Sequence, residues 1–314
     1  MMNGTCLICG KYSADSNGYH QSCSKRFFGT DEPPLLDYDL TDINKIAEET
    51  VLKSITLTGV QPKLSLHLSK TGNGKGKKLT IVGLWGSYIL KPPSPAYPNL
   101  SENEHLTMHL AECCGIKTVP HALIKFQSGE LAYITKRIDR SKTGKLHMED
   151  MCQLQERLTE DKYRGSVEQI GKTIQNYSSN PGYDLQRLFE MVVFSFLTGN
   201  ADMHLKNYSL IYPKHDLIEL APAYDLLNTA IVIPSDKEES ALTINGKKSK
   251  LKRADFDHLA KNLQLISKVK ENIVSRITSS LSQSSEIIQN SFLNEEMKEK
   301  YMDTTSSRIK QISV

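Results

Sequence analysis

The residues best placed to do chemistry lie in the run Asn200-Ala201-Asp202-Met203-His204-Leu205-Lys206-Asn207. Every second side chain there is polar and of a type that catalyses, and Asn207 follows Asp202 by five positions. Downstream, Leu220-Ala221-Pro222-Ala223-Tyr224-Asp225 ends on a second carboxylate. A carboxylate and an amide oxygen on neighbouring loops suit Mg²⁺, which takes oxygen ligands. A further carboxylate can accept or orient the proton of an attacking hydroxyl. This set points to phosphoryl transfer from a polyphosphate, a reaction governed by positioning and charge neutralisation. A polar surface loop displays the same residue types, and the spacing alone leaves that reading open.

Such a loop must hang from something rigid. Leu185, Leu188, Phe189, Val192, Val193, Phe196 and Leu197 recur at helical spacing and predict a buried helix ending at Gly199, directly before the loop. Tyr208–Tyr212 and Leu217–Leu220 read as short strands. Further upstream, Leu64, Leu66 and Leu68 alternate with polar residues as a half-buried strand does. A Gly- and Lys-rich turn, SKTGNGKGK, leads to a second strand at Leu79–Val82. Tyr88–Lys91 is a third, stopped by Pro92 and Pro93. Glu102–Cys114 reads as a helix capped by Gly115, and Thr118–Phe126 and Glu130–Thr135 as strands joined at Ser128-Gly129. From about Arg140 the pattern turns helical, and residues 254–300 are amphipathic helix. Lys91 therefore stands on a strand with Glu104 on the next helix, where the two can pair and the ammonium can meet phosphates. A strand-end surface Lys and a solvated helix face are the plainer alternatives.

The chain has 314 residues, enough for one large two-lobed domain or two ordinary ones. Its net charge of +3, from 39 Lys+Arg against 36 Asp+Glu, argues against nucleic-acid binding by the chain as a whole. The basic run Lys247, Lys248, Lys250, Lys252 and Arg253 reads as a solvated loop. No apolar stretch approaches the ~18 residues of a membrane span. The first residues carry no apolar leader, which places the expectation in the cytoplasm.

Cysteine usage is uneven. Cys6-x₂-Cys9 and His20-x₂-Cys23 form two close pairs of soft or borderline ligands, the pattern of a closed structural Zn²⁺ site. A unit this small scarcely folds without a metal. Incidental thiols with a surface His are the alternative. Cys113, Cys114 and Cys152 read as buried thiols, and Trp85 as a packing residue. Residues 31–50 are acidic and read as a linker with one short helix.

The order of pieces is that of a protein kinase: strand Lys, helix Glu, two strands, helical half, Asp-x₄-Asn, then Asp. More narrowly, the sequence resembles the HipA-like kinases. The matching segments are Gly59-Val60-Gln61-Pro62-Lys63-Leu64, Tyr88-Ile89-Leu90-Lys91-Pro92, and Asn103-Glu104 with Met108 and Ala111. They continue with Lys136-Arg137-Ile138-Asp139-Arg140, His147-Met148-Glu149-Asp150-Met151-Cys152-Gln153, Asn200–Asn207 and Ala221–Asp225. The implied fold class is α+β: a two-lobed protein-kinase-like fold with a small β-rich N-lobe and a helical C-lobe. The expected division is a Cys/His unit at 1–30, an N-lobe at 31–138 and a C-lobe at 139–314.

By that resemblance the chain is an ATP-dependent Ser/Thr kinase, the toxin of a bacterial toxin–antitoxin system. Asp202 would be the catalytic base, Asn207 and Asp225 would hold Mg²⁺, and Lys91, paired with Glu104, and His204 would contact the nucleotide. Residues 136–138 would form the hinge that meets adenine through its backbone, with Lys136 and Ile138 where the family often has Glu and Phe. The short N-terminal part looks like the HipT-type arrangement, in which a small HipS-like protein supplies the missing subdomain. A DNA-binding HipB-like antitoxin and an aminoacyl-tRNA synthetase substrate are implied with it. In this family the loop before Gly59 covers the phosphates and is self-phosphorylated, which makes Thr56 the first candidate acceptor, with Thr58 and Ser54 beside it. Two other readings stay open: a catalytically idle nucleotide-binding regulatory subunit, and a kinase of small molecules.

Overall fold

A computed structural model describes residues 4–15, 17–43, 45–46, 61–70, 76–82, 85–141, 144–214 and 216–313. The chain divides into two compact units, one of residues 1–106, 119–138 and 290–293, the other of 107–118, 139–289 and 294–314. The expected boundary near residue 138 is thus one of several crossings. Ser54, Thr56 and Thr58 lie outside the described residues.

The first unit is built on a six-stranded sheet of β1 (Leu35–Leu36), β2 (Leu64–Lys70), β3 (Lys77–Val82), β4 (Tyr88–Lys91), β5 (His121–Lys125) and β6 (Leu131–Lys136). The spatial order is β1-β3-β2-β4-β6-β5, and only the β1–β3 pair is parallel. Leu64, Leu66, Leu79, Leu90, Ala122 and Ile134 are buried, which fixes the register by putting the apolar side chains of alternating strands on the core face. Gly86 lets the chain turn back across β2, because a Cβ there would lie 2.5 Å from the Leu66 carbonyl oxygen. The acidic segment after residue 30 is no mere linker. Leu35–Leu36 pairs with β3, and Leu36 and Ile43 are buried, so two apolar anchors outweigh the acidic composition. Residues 40–43 and 45–46 supply the short helix. Trp85, expected to be a packing residue, is 74% exposed.

In the second unit the helical pattern expected from Arg140 begins later. The chain first forms a small pair, β7 (Arg140–Ser141) with β8 (Gly144–Lys145), and then β9 (Met148–Asp150). Strands of two or three residues are too short to show a period of two. β9 is the edge of a three-stranded sheet, β11-β10-β9, with β10 at Ser209–Lys214 and β11 at Leu217–Leu220. Asp150 caps the one-turn helix α3 (Met151–Leu154), and Ser166 caps α4 (Val167–Tyr177), each through a reciprocal capping box. α5 (Pro181–Leu197) opens with Pro at its first turn and is the apolar centre of this unit, with Leu185, Leu188, Phe189, Val192, Val193, Phe196 and Leu197 all buried. Helices α6 (Arg253–Asn262), α7 (Ser267–Ser282), α8 (Ser285–Gln289) and α9 (Glu295–Ser313) complete it.

Two smaller expectations are settled here. Lys247 and Arg253 of the basic run are tied to Asp255 and to Asp257 and Glu271, and Lys248 lies 3.4 Å from Glu238. Cys114 and Cys152 are buried, whereas Cys113 is exposed. Among the described residues no helix is long and apolar enough to cross a membrane.

Candidate phosphoryl-transfer site

The Asn200–Asn207 loop leaves α5 through Gly199, whose φ of +69° few side chains tolerate. A Cβ there would also lie 2.8 Å from Asn228 Oδ1 and 2.7 Å from Thr304. The loop then braces itself. The Asp202 amide donates to Asn200 Oδ1 (3.0 Å), the His204 amide to the Asp202 carbonyl (2.8 Å), and the Ala201 amide to Thr229 Oγ1 (2.8 Å). Asn207 is buried, and its Nδ2 donates to the Asp202 carbonyl at 2.9 Å. With that amide nitrogen committed, the amide oxygen is the atom suited to a cation. Asp202 itself is half-buried.

Asp225 is placed by a separate brace. Buried Arg187 of α5 bonds Asp184 Oδ1 (3.0 Å), the Leu220 carbonyl (2.5 Å) and the Ala221 carbonyl (3.1 Å), gripping the start of the Ala221–Asp225 segment. The Ala223 amide donates to the Lys117 carbonyl at 2.8 Å, and the Tyr224 hydroxyl donates to the Lys206 carbonyl at 3.0 Å. The segment ends with Asp225 at φ +60°, a left-handed conformation uncommon outside Gly and concentrated at functional sites. A half-buried carboxylate held this way and an oriented amide oxygen are both ligand types that Mg²⁺ takes.

Tyr163 belongs to this cluster and was not foreseen. Its hydroxyl donates to Asp202 Oδ1 at 2.6 Å, and its ring stands edge-on to His204 at 5.0 Å between centroids. Burial pushes the Tyr163 phenol up, reinforced by the Asp202 hydrogen bond and by the charges of Asp202 and Asp225, so it stays a donor. The segment carrying it is tied to the loop where the Leu205 amide donates to the Lys162 carbonyl (3.1 Å). Lys206 reaches Asp150 at 2.7 Å and is structural in this arrangement.

In the first unit, Lys91 Nζ lies 2.7 and 2.8 Å from the two oxygens of Glu104, which stands on α2 (Leu100–Cys113). Both side chains are about 5% exposed or less, at 5% and 4%. The ammonium also sits over the Tyr133 ring at 5.3 Å. The surface alternatives for both residues are therefore excluded. At the expected hinge, the Lys136 amide donates to the Pro120 carbonyl and the Arg137 amide to the Ser87 carbonyl, both at 2.9 Å. The Lys136 and Arg137 amides are therefore used within the protein, which leaves Lys136 its carbonyl and side chain.

Cys6, Cys9, His20 and Cys23 also converge: their ligand atoms lie within 4.8 Å of one another. His20 Nδ1 lies 3.4 Å from Cys9 Sγ and 3.7 Å from Cys23 Sγ, while its Nε2 meets the Tyr12 carbonyl at 2.8 Å. That outward bond fixes the tautomer that leaves Nδ1 as the ligand atom, as metal-binding His residues usually are fixed. Burial, with the Cys6 and Cys9 sulfurs close by, pushes the Cys23 thiol up to about 12, so three thiolates share this space only with a cation among them. The donor set fits Zn²⁺.

This architecture is the α+β fold of protein-kinase-like enzymes. It superposes on HipA of Shewanella oneidensis MR-1, solved as a toxin–antitoxin complex with HipB and operator DNA, with a TM-score of 0.69 at 23% identity, covering 82% of this chain and 65% of that one. It superposes on the Helicobacter pylori proinflammatory kinase CtkA with a TM-score of 0.55 at 20% identity, covering 79% and 93%. Residues 55–285 match the HipA-like C-terminal domain, and the chain belongs to that family. It is 34% identical over 230 residues to the provisionally named kinase Y4dM of Sinorhizobium fredii, covering 68% of this chain and 55% of that one. It is 28% identical over 194 residues to the serine/threonine-protein kinase toxin HipA of Shewanella oneidensis, covering 55% and 43%. The chain thus spans about half the length of the curated relatives it matches.

Proposed function

We propose that the chain is an ATP-dependent Ser/Thr protein kinase and the toxin of a toxin–antitoxin system. The observation that carries this reading is the bidentate Lys91–Glu104 pair, buried at the end of a strand. A buried ion pair is poor value as a stability device, since desolvation offsets most of its attraction. Its use is to hold an ammonium where phosphate charge arrives. Asp202 would accept the proton of the acceptor hydroxyl, steadied by Tyr163 at Oδ1. Asn207 and Asp225 would hold Mg²⁺, which when bound neutralises phosphate charge. His204 and the Ile138 backbone would add nucleotide contacts.

The relatives named as kinases and the HipA–HipB assembly support an antitoxin partner of HipB type, with a HipS-like subunit and an aminoacyl-tRNA synthetase substrate as further proposals. Autophosphorylation at Thr56, Thr58 or Ser54 belongs to the same reading. The Cys6, Cys9, His20 and Cys23 cluster would hold a structural Zn²⁺. The test is incubation with Mg²⁺ and γ-labelled ATP, alone and with a cell extract. Label on protein hydroxyls is expected. Nucleotide binding without transfer would identify an idle regulatory subunit, and label confined to small molecules would identify a different kinase class.

A further inference from the structure

We infer that the Cys/His unit is a metal-held clamp on the sheet edge, and that it steadies the cross-strand row containing Lys91. The inference rests on the zinc reading of Cys6, Cys9, His20 and Cys23 and adds what the metal is for. β5 is the sheet's edge strand, and an edge presents unpaired backbone groups. At Leu123 both are taken by the N-terminal unit. The Leu123 amide donates to the Leu7 carbonyl at 2.7 Å, and the Tyr19 hydroxyl donates to the Leu123 carbonyl at 2.9 Å. Leu7 is the chain neighbour of Cys6, and Tyr19 of His20. Each clamping group is therefore one residue from a ligand.

The clamped position is not arbitrary. Leu123 pairs with Tyr133 across β5–β6, and Tyr133 pairs with Lys91 across β6–β4. Clamp, Tyr133 ring and Lys91 thus form one row across three strands. A second route reaches the same strand. Cys23 lies on α1 (Gln21–Phe28), whose Phe27 and Phe28 pack on Tyr88, with ring centroids 5.8 and 6.0 Å away. The Tyr88 hydroxyl donates to the Phe27 carbonyl at 3.3 Å, and Tyr88 opens the strand that ends in Lys91. A segment of this size has too little core to hold such contacts by itself and needs a staple.

The experiment uses the full chain. Metal analysis after chelator-free purification is expected to find about one zinc per chain. Stripping it, then restoring it, should reversibly speed hydrogen exchange in peptides from β5 and β6 and leave α5 peptides unchanged. Tyr19→Phe, which removes one clamp bond and no ligand, should keep the zinc, speed exchange in β5 and weaken ATP binding by roughly two- to tenfold, the effect of one hydrogen bond. Metal-free native protein would overturn the zinc reading. Stoichiometric zinc with unchanged β5 and β6 exchange, both on stripping and in Tyr19→Phe, would leave zinc in place and overturn the clamp. If stripping unfolds the whole chain, Tyr19→Phe alone decides.

Discussion

Replacing Lys91 by Met leaves the Glu104 carboxylate, 4% exposed, without the ammonium now 2.7 and 2.8 Å from its oxygens. At 2.7 Å and an effective dielectric of about 20, the gross attraction lost is about 6 kcal/mol. Relaxation and water entry return part of it, so the expected loss of stability is about 3–5 kcal/mol. Glu104→Leu should cost a similar amount by stranding the Lys91 ammonium. The double variant Lys91→Met with Glu104→Leu removes both charges and keeps the volume apolar, so it should recover to within about 2 kcal/mol of the starting protein. The coupling between the sites is then at least about 4 kcal/mol, well outside additivity. Urea unfolding followed by circular dichroism measures the cycle, and phosphoryl transfer should be lost in all three variants. Singles that each cost less than about 1 kcal/mol and simply add would refute a buried, mutually dependent pair. A double variant that regained stability and also kept full activity would refute the assignment of the pair to phosphate binding.

Tyr163→Phe removes the donor to Asp202 Oδ1 and should lower kcat roughly ten- to hundredfold, the worth of one hydrogen bond to a charged group, with the KM for ATP little changed. An unchanged kcat would mean that Asp202 is positioned without the phenol. In the segment before Gly59, Asp at both Thr56 and Thr58 should weaken ATP binding through repulsion by the triphosphate, while Ala at both should not. Equal affinities across that series, with no phosphate found on the segment by mass spectrometry, would remove the proposed switch.

Local pattern made part of this site readable and tertiary contact hid the rest. Lys91 on a strand, Glu104 on the next helix and the loop after Gly199 are each announced within a few residues, by alternation, helical spacing and a terminal glycine. The linker reading of residues 31–50 foresaw the short helix but missed that Leu35–Leu36 pairs with β3, because that partner strand lies far along the chain. Tyr163 carries no local signal at all, since it lies 39 residues from Asp202 on an exposed, aperiodic segment. The resemblance named residues 136–138 as a hinge. It could not show that the Lys136 and Arg137 amides are used internally, because that follows from where Pro120 and Ser87 fall in space. Cysteine spacing pointed to a metal site. That its neighbours Leu7 and Tyr19 grip Leu123 depends on residues about 100 positions downstream, as the separation of 104 between Tyr19 and Leu123 illustrates.

The central claim is that this loop catalyses phosphoryl transfer to protein. Its most direct measurement is the phosphate found by mass spectrometry on protein after incubation with ATP and Mg²⁺, for the wild-type chain and for Asp202→Asn and Asp225→Asn. The two substitutions keep side-chain size, so circular dichroism spectra should match the wild type. Phosphate on the wild-type samples and none on either variant is the predicted result. Transfer retained by a folded Asp202→Asn protein would contradict the claim.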